Sequence, residues 1–461
     1  MSVKGTVTRT PFKGVLWQYF LCNSVDNIFY VNYNDIMEQI KNVFGGVMYK
    51  TKKLNNGLTI IAEEIPYLKS ISMGIWFRSG IKTEENYIDG VSHFIEHMMF
   101  KGTKNRTSKQ LVAEIENLGG VINAFTGREC TCYYVRLLDE HLNIGIDILS
   151  DMILNSKFDE KDIEREKSVI IEELKMYEDS PEDLTYDILL EKVYNNKGIG
   201  KNILGSKESI KSMNRDAILD YFEKFYVPEN AVLSICGNFD FEETVKLIED
   251  KFENWHGEKP DYNLQNEIFN PCIIKKDRDY EQTNLAICFE CENIGSSSND
   301  VYAIDIINNV LGGSSTSRLF QRIREDEGLV YSIYSEQEFY REKGELGIYA
   351  SMSTENLEDV YRLVKEEIIS LNENGITEEE LNNSKEQLKG EFMLGMESTE
   401  SRMNAIGKYM LITGKVETLE DVIEGLNSIT MDDINRVISD VLDINKMGVC
   451  VVGKGVSEIE L

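Results

Sequence analysis

Histidine is scarce in this chain. Its 461 residues hold four, His93, His97, His141 and His256, so the C-terminal part has none. That excludes a second histidine-based site there. Basic side chains are also short: 49 Lys and Arg stand against 80 Asp and Glu, for a formal net charge of -31. A surface of that sign repels phosphate, which argues against nucleic acid as a partner. It favours a basic or neutral partner, or simply a well-solvated acidic surface. No apolar run reaches the roughly 18 residues of a bilayer span, so no membrane segment is expected. The eight Cys follow no small disulfide-scaffold pattern and read as buried, reduced thiols. Cys288 and Cys291 form a C-x-x-C, but they sit in a strand-like run with no second pair to make a zinc ribbon.

What is present reads as mixed α and β. The hydrophobic fraction of 42% suffices for a sizeable core. Patterning predicts strands over 58–62, 70–77, 121–126 and 131–138. It predicts helices over 91–100, 108–118, 140–154 and 160–178, the second stopped by Gly119-Gly120 and the last ending before Pro181. A helix-then-strand pattern over 213–238 recurs over 431–453, a period too long for a solenoid, so the chain reads as two duplicated domains. Two of the six Pro fall in 257–271, a stretch poor in apolar residues that suits a linker. The expected organisation is an extension over 1–47, a first domain over 48–256, the linker 257–271 and a second domain over 272–461. The extension carries Lys4, Arg9 and Lys13 before a short apolar stretch, and Met48 directly precedes the first clean strand pattern. No small-residue cleavage site follows, so it reads as a dispensable extension upstream of the true start rather than a targeting leader.

The decisive segment is His93-Phe94-Ile95-Glu96-His97. Residues four apart share one face of a helix, so both imidazoles can meet one ion. Glu96 is then placed to reach a water on that ion without binding the ion itself. This is the inverted H-x-x-E-H arrangement. With four His in the chain its chance occurrence is on the order of 0.5%, so it is a strong signal. A catalytic zinc takes three protein ligands and keeps one position open. The third is a carboxylate or a His on another element; His141 and His256 read as structural, which favours a carboxylate. Glu166 and Glu173 both qualify, lying two turns apart on the same face of one helix.

These residues resemble the insulinase/pitrilysin family of inverted-motif zinc metallopeptidases, in particular its short-chain branch of bacterial processing proteases and mitochondrial processing peptidase β subunits. The segment HFIEHMMFKGT over 93–103 is similar to the family's metal helix, and EKSVIIEE over 166–173 to its distal segment. The resemblance implies one zinc per chain on His93, His97 and Glu173, Glu96 as general base acting on the attacking water, and Glu166 as a second acidic residue needed for activity. Asn123 and Ala124 match the strand edge along which substrate backbone is laid. Residues 312–320, GGSSTSRLF, resemble the glycine-rich segment of the second domain. Arg324 and Tyr331 match a pair that contacts substrate near the scissile bond. The implied fold is α+β: two tandem homologous α/β domains, each a mostly antiparallel sheet with helices packed on it. The implied function is a zinc metalloendopeptidase acting on peptides or unfolded segments as a homodimer or a heterodimer with a related chain. The expected compartment is the bacterial cytoplasm, with the mitochondrial matrix as the alternative. The rival reading is a non-catalytic partner subunit, which the family also contains; all four core motif residues are kept here, which weighs against it.

Overall fold

The computed structural model describes residues 49–262, 267–294 and 298–461. The expected extension 1–47 and residues 263–266 of the expected linker lie outside the described residues.

The first half runs β1 (Lys50–Lys53), β2 (Thr59–Glu64), β3 (Ser70–Phe77), α1 (Val91–Met99), α2 (Ser108–Glu116), β4 (Val121–Thr126), β5 (Thr131–Leu138), α3 (Leu142–Asn155), α4 (Glu160–Glu178), α5 (Pro181–Val193), α6 (Arg215–Phe225), β6 (Ala231–Gly237) and α7 (Phe241–Phe252). The second runs β7 (Ile273–Asp277), β8 (Thr283–Cys291), α8 (Ser298–Asn308), β9 (Val330–Phe339), β10 (Gly344–Met352), α9 (Leu357–Asn374), α10 (Glu378–Gly395), α11 (Thr399–Thr413), α12 (Leu419–Ser428), α13 (Met431–Val441) and β11 (Gly448–Gly453). The strand orders are β1-β2-β6-β3-β5-β4 and β7-β11-β8-β10-β9, so the second sheet repeats the first without its β1. Among the described residues only β2–β6 and β7–β11 pair in parallel, and both sheets are otherwise antiparallel. The recurring pattern seen in the sequence is α6 with β6 and α13 with β11.

Central strand β3 reads SISMGIWF and does not alternate, because both of its faces are covered. Ile71, Met73, Ile75 and Phe77 enter the core shared with α1, α3 and α4. The opposite face is covered by α11, which belongs to the second half: Trp76 packs there with Met403 and Ile406. Ser72 and Thr399 share a hydroxyl hydrogen bond of 2.9 Å across this contact. Gly407 is required, since a Cβ there would collide with the Trp76 indole. The second sheet has the reciprocal arrangement. Helix α5 of the first half covers it, packing Leu189, Leu190 and Val193 against Ala286, Cys288, Cys450 and Val452. Each half thus places one helix on the other half's sheet.

One expectation changes in detail. The helix expected over 140–154 begins later, as α3, after a 3-10 turn at Asp139–His141. Asp139 accepts a hydrogen bond from Asn238 at the end of β6, which holds the chain in a tight turn as it leaves β5. π-helical turns stand at either end of the glycine-rich segment, at Asn309–Gly313 and Phe320–Asp326. Gly312 lies against the Ser335 backbone of β9, where a side chain would not fit. The C-x-x-C carries no dithiol: three residues apart on β8, Cys288 faces α5 and Cys291 faces the opposite core. Burial pushes both thiols well above their ordinary range.

Candidate metal centre

Helix α1 is amphipathic, with Val91, Phe94, Ile95, Met98 and Met99 buried. It starts at Gly90, whose φ of 86° is left-handed and suits glycine. The fully buried carboxylate of Glu84 accepts from Gly90 N at 2.6 Å and Ser92 N at 2.9 Å, and also from the Ser92 hydroxyl. It satisfies backbone donors that the first turn leaves open. Burial raises the Glu84 carboxyl to about 7, against the pull of these hydrogen bonds. Nothing in the sequence singled out Glu84, because a loop acid six residues before a glycine has no spacing signature.

One turn in, His93 is buried and faces α4; His97 lies beside it, with ring centroids 4.6 Å apart. Helix α4 presents Ile163, Glu166, Ile170 and Leu174 as its buried stripe. Glu166 therefore arrives within the packed interface, and Glu173 two turns later at its margin. His97 Nε2 lies 3.3 Å from Glu173 Oε2, and His93 Nε2 lies 3.8 Å from Glu173 Oε1. Ligand atoms about 2.0–2.1 Å from a tetrahedral zinc stand about 3.3 Å from one another. The donor set and its spacing fit such an ion with little movement. Among the described residues this is the one cluster of three His, Cys, Asp or Glu side chains able to converge on a metal.

The supporting groups are in place as well. Glu166 Oε1 accepts from His97 Nδ1 at 2.9 Å, which fixes the ring and leaves Nε2 as the free lone pair. Glu166 Oε2 pairs with Lys101 at 2.6 Å. Burial opposes ionisation of Glu166, but the hydrogen bonds from His97 and Lys101 hold its carboxyl below the usual range. Burial likewise disfavours the His97 cation, yet the bonds to Glu166 and Glu173 and the Glu96 charge lift it to about 9. His93 is the opposite case: burial, then the His97 charge, pushes it well below its ordinary value. Among the described residues its buried Nδ1 has no hydrogen-bond partner.

Glu96 projects from the same turn of α1, and its Oε2 accepts from the Thr126 hydroxyl at 2.5 Å. Burial raises its carboxyl, partly offset by His97 and Thr126. Thr126 closes β4, which among the described residues is an edge strand paired with β5 alone. Asn123 and Ala124 lie on that edge, Asn123 exposed and opposite Tyr134. The structure thus gathers His93, Glu96, His97, Glu166 and Glu173, with the β4 edge alongside. Arg324 and Tyr331 stand elsewhere. Both are exposed on the second half, Arg324 over the Phe320 ring at 4.7 Å, and among the described residues no hydrogen bond or ion pair joins them to the ligand cluster. His141 stands 3.6 Å from Glu140 and His256 is exposed, both away from the cluster.

Two family models cover most of the described chain: "Insulinase (Peptidase family M16)" over residues 59–207 and "Peptidase M16 inactive domain" over 212–388. The chain belongs to the M16 peptidase family. The first M16 model spans His93, Glu96, His97, Glu166 and Glu173, and the second, which includes His256, spans no candidate ligand. Among relatives, the Bacillus subtilis protein named "Uncharacterized zinc protease YmxG" is 38% identical over 388 residues, covering 84% of this chain and 94% of that protein. An "Uncharacterized zinc protease" from Rickettsia bellii is 36% identical over 396 residues, covering 85% of this chain and 95% of that protein. In fold, the chain is similar to a protease from Helicobacter pylori, with a TM-score of 0.81 at 17% identity, covering 88% of this chain and 100% of that one. It is also similar to a putative M16-like peptidase from Alicyclobacillus acidocaldarius, with a TM-score of 0.79 at 22% identity over 88% and 98% of the two chains. No described helix is long and apolar enough to cross a membrane.

Proposed function

We propose that this M16 chain is an active zinc endopeptidase that cleaves peptides or unfolded segments. The observation that carries the reading is the convergence of His93, His97 and Glu173 with Glu96 on the adjoining turn. Zinc held by those three residues, one per chain, would supply Lewis acidity toward the scissile carbonyl and the attacking water. Glu96 takes the proton of that water and returns it to the leaving amine. Its raised carboxyl and half-buried position suit a group that must hold a proton briefly. Thr126 holds one Glu96 oxygen and leaves the other for this exchange. Glu166 keeps the His97 ring in register, and Lys101 keeps Glu166 ionised.

The edge of β4 at Asn123 and Ala124 accepts substrate backbone as an added strand, so affinity comes from main-chain hydrogen bonds and side-chain preference is loose. Arg324 and Tyr331 are exposed on the second half, free to orient substrate or stabilise an oxyanion at the site of a partner chain. That assigns the working unit to a dimer, either of identical chains or with a related one. The cytoplasm is the compartment we assign, with the mitochondrial matrix as the alternative. The test is digestion of unstructured peptides by the purified protein, with and without a chelator. Cleavage that needs zinc and is lost in Glu96→Gln, with zinc retained, supports the reading. Zinc-loaded protein that cuts nothing returns the chain to the role of a non-catalytic partner.

A further inference from the structure

Between the halves, beside the turn that joins β4 to β5, lies a buried ion cluster that the chemistry above leaves unused. The turn, 127–130, follows directly on Thr126. Its Glu129 is buried and bonded to both halves. Glu129 Oε1 accepts from Lys82 Nζ of the first half at 3.0 Å. Glu129 Oε2 accepts at 2.8 Å from the Arg341 amide, which lies in the turn between β9 and β10 of the second half. Lys82 is buried too, and stands 3.2 Å from Glu342 Oε2 of that same turn. Burial disfavours its cation, but the charges of Glu129, Glu267 and Glu342 hold it above its ordinary range. Desolvation offsets most of the attraction among buried charges, so the cluster adds little net stability. What it does fix is where the turn sits.

That placement bears on the general base. Lys82 belongs to a 3-10 turn, Ile81–Thr83, and its amide donates to the Arg128 carbonyl at 3.0 Å. Gly80 lies against the Gly127 and Arg128 carbonyls, where a Cβ would not fit. Arg128 donates to the carbonyls of Ile199 and Lys201. The first half therefore holds the β4–β5 turn through these contacts, and the second half through the Arg341 amide and Glu342. On one side the turn leads back to Thr126, whose hydroxyl donates to Glu96 Oε2 at 2.5 Å. The 3-10 turn leads into Glu84, which holds the start of α1 and so the helix that carries Glu96. Both members of the Thr126–Glu96 bond are thus anchored close to one buried lysine.

We infer that Glu129 is a positioning residue for the general base: by tying the β4–β5 turn to Lys82 and to the second half, it sets the Thr126 hydroxyl against Glu96. The inference rests on the peptidase reading and gives the second half a task in it. Through the Arg341 amide that half reaches the base of its own chain. Glu129 acts only through Thr126, so its effect depends on the Thr126 hydroxyl being there.

The test is a double-mutant cycle on the zinc-loaded full chain, with Glu129→Ala and Thr126→Val, reading peptide cleavage and zinc content. Each single variant is expected to lower kcat about tenfold, part of the roughly 100-fold or more that a general base supplies, with KM within about twofold of the parent. The double variant is expected to fall about tenfold as well, whereas independent effects would multiply to about 100-fold. In the metal-free protein, Glu129→Ala is expected to speed amide hydrogen exchange over 126–130 about tenfold. If Glu129→Ala does not fold, Glu342→Ala carries the test, because that side chain is half exposed. It is expected to lower kcat about threefold, and to change nothing further in the Thr126→Val background. An unchanged kcat, effects that multiply, a fall carried by KM or by zinc content, or unchanged exchange over 126–130 overturns the inference and leaves the peptidase reading intact. A zinc-loaded parent that cleaves no peptide, or cleavage that survives in Glu96→Gln, overturns the peptidase reading itself and the inference with it.

Discussion

Removing Glu166 tests whether this buried carboxylate tunes the metal site or merely fills the α1–α4 interface. Glu166 makes two polar contacts, to His97 Nδ1 at 2.9 Å and to Lys101 Nζ at 2.6 Å. A hydrogen bond to a charged group is worth about 1.5–3 kcal/mol. The Lys101 side chain is 32% exposed, so water screens much of that pair. The His97 bond then dominates, and it bears on zinc affinity because it fixes which ring nitrogen is free. Losing such a support weakens metal binding about 10–100-fold. Part of the effect cancels, since the same carboxylate also stabilises the protonated His97 of the metal-free protein. Glu166→Gln keeps an acceptor for Nδ1 and loses the charge, so about tenfold is expected; Glu166→Ala loses both and should approach about 100-fold. The assay is zinc competition against a fluorescent chelator, with unfolding followed in parallel to confirm that the variants are folded. If Glu166→Ala bound zinc within about twofold of the parent, the positioning role would be refuted.

Other outcomes follow from the same geometry. Because metal-free His97 titrates at about 9, zinc binding at neutral pH displaces its proton; calorimetry in buffers of different ionisation enthalpy should find close to one proton released per zinc, vanishing above the His97 value. In the metal-free protein the raised His97 value contributes stability that is fully present below its ordinary 6.5 and lost as pH rises through about 9, measurable as a falling melting temperature across that window. Glu84→Ala leaves the Gly90 and Ser92 amides unsatisfied and should cost about 1–3 kcal/mol in urea unfolding, with weaker zinc binding as α1 frays. Gly407→Ala forces a methyl into Trp76 and should cost about 1–3 kcal/mol, whereas Gly390→Ala, open on α10, should stabilise by about 0.5–1 kcal/mol.

The metal helix was legible because its chemistry is local: two His and a Glu within five residues, on a segment with helical apolar spacing. The choice between Glu166 and Glu173 was not legible from spacing, since both share one face of α4. It depends on how α4 crosses α1, which puts Glu166 at Nδ1 of His97 and Glu173 at its Nε2. The duplication was visible where α6 and β6 repeat as α13 and β11, because both copies keep the same buried pattern. The exchange of α5 and α11 between halves was invisible, since an apolar helix face does not say which sheet it will cover. In sequence Thr126 is merely the end of a strand pattern, and its bond to Glu96 appears only when β4 folds beside α1.

That exchange bears on how the protein can be divided. Cutting at the stretch between the halves would strip β3 of the helix over Trp76, and strip β8 and β11 of the helix over Cys288 and Cys450. Each fragment would carry a sticky, uncovered sheet plus a stray amphipathic segment, and would aggregate when made by itself. Co-expressed, the same two fragments hold complementary surfaces and should reassemble, so an N-terminal piece with every candidate zinc ligand still needs its histidine-free sibling in order to stay folded.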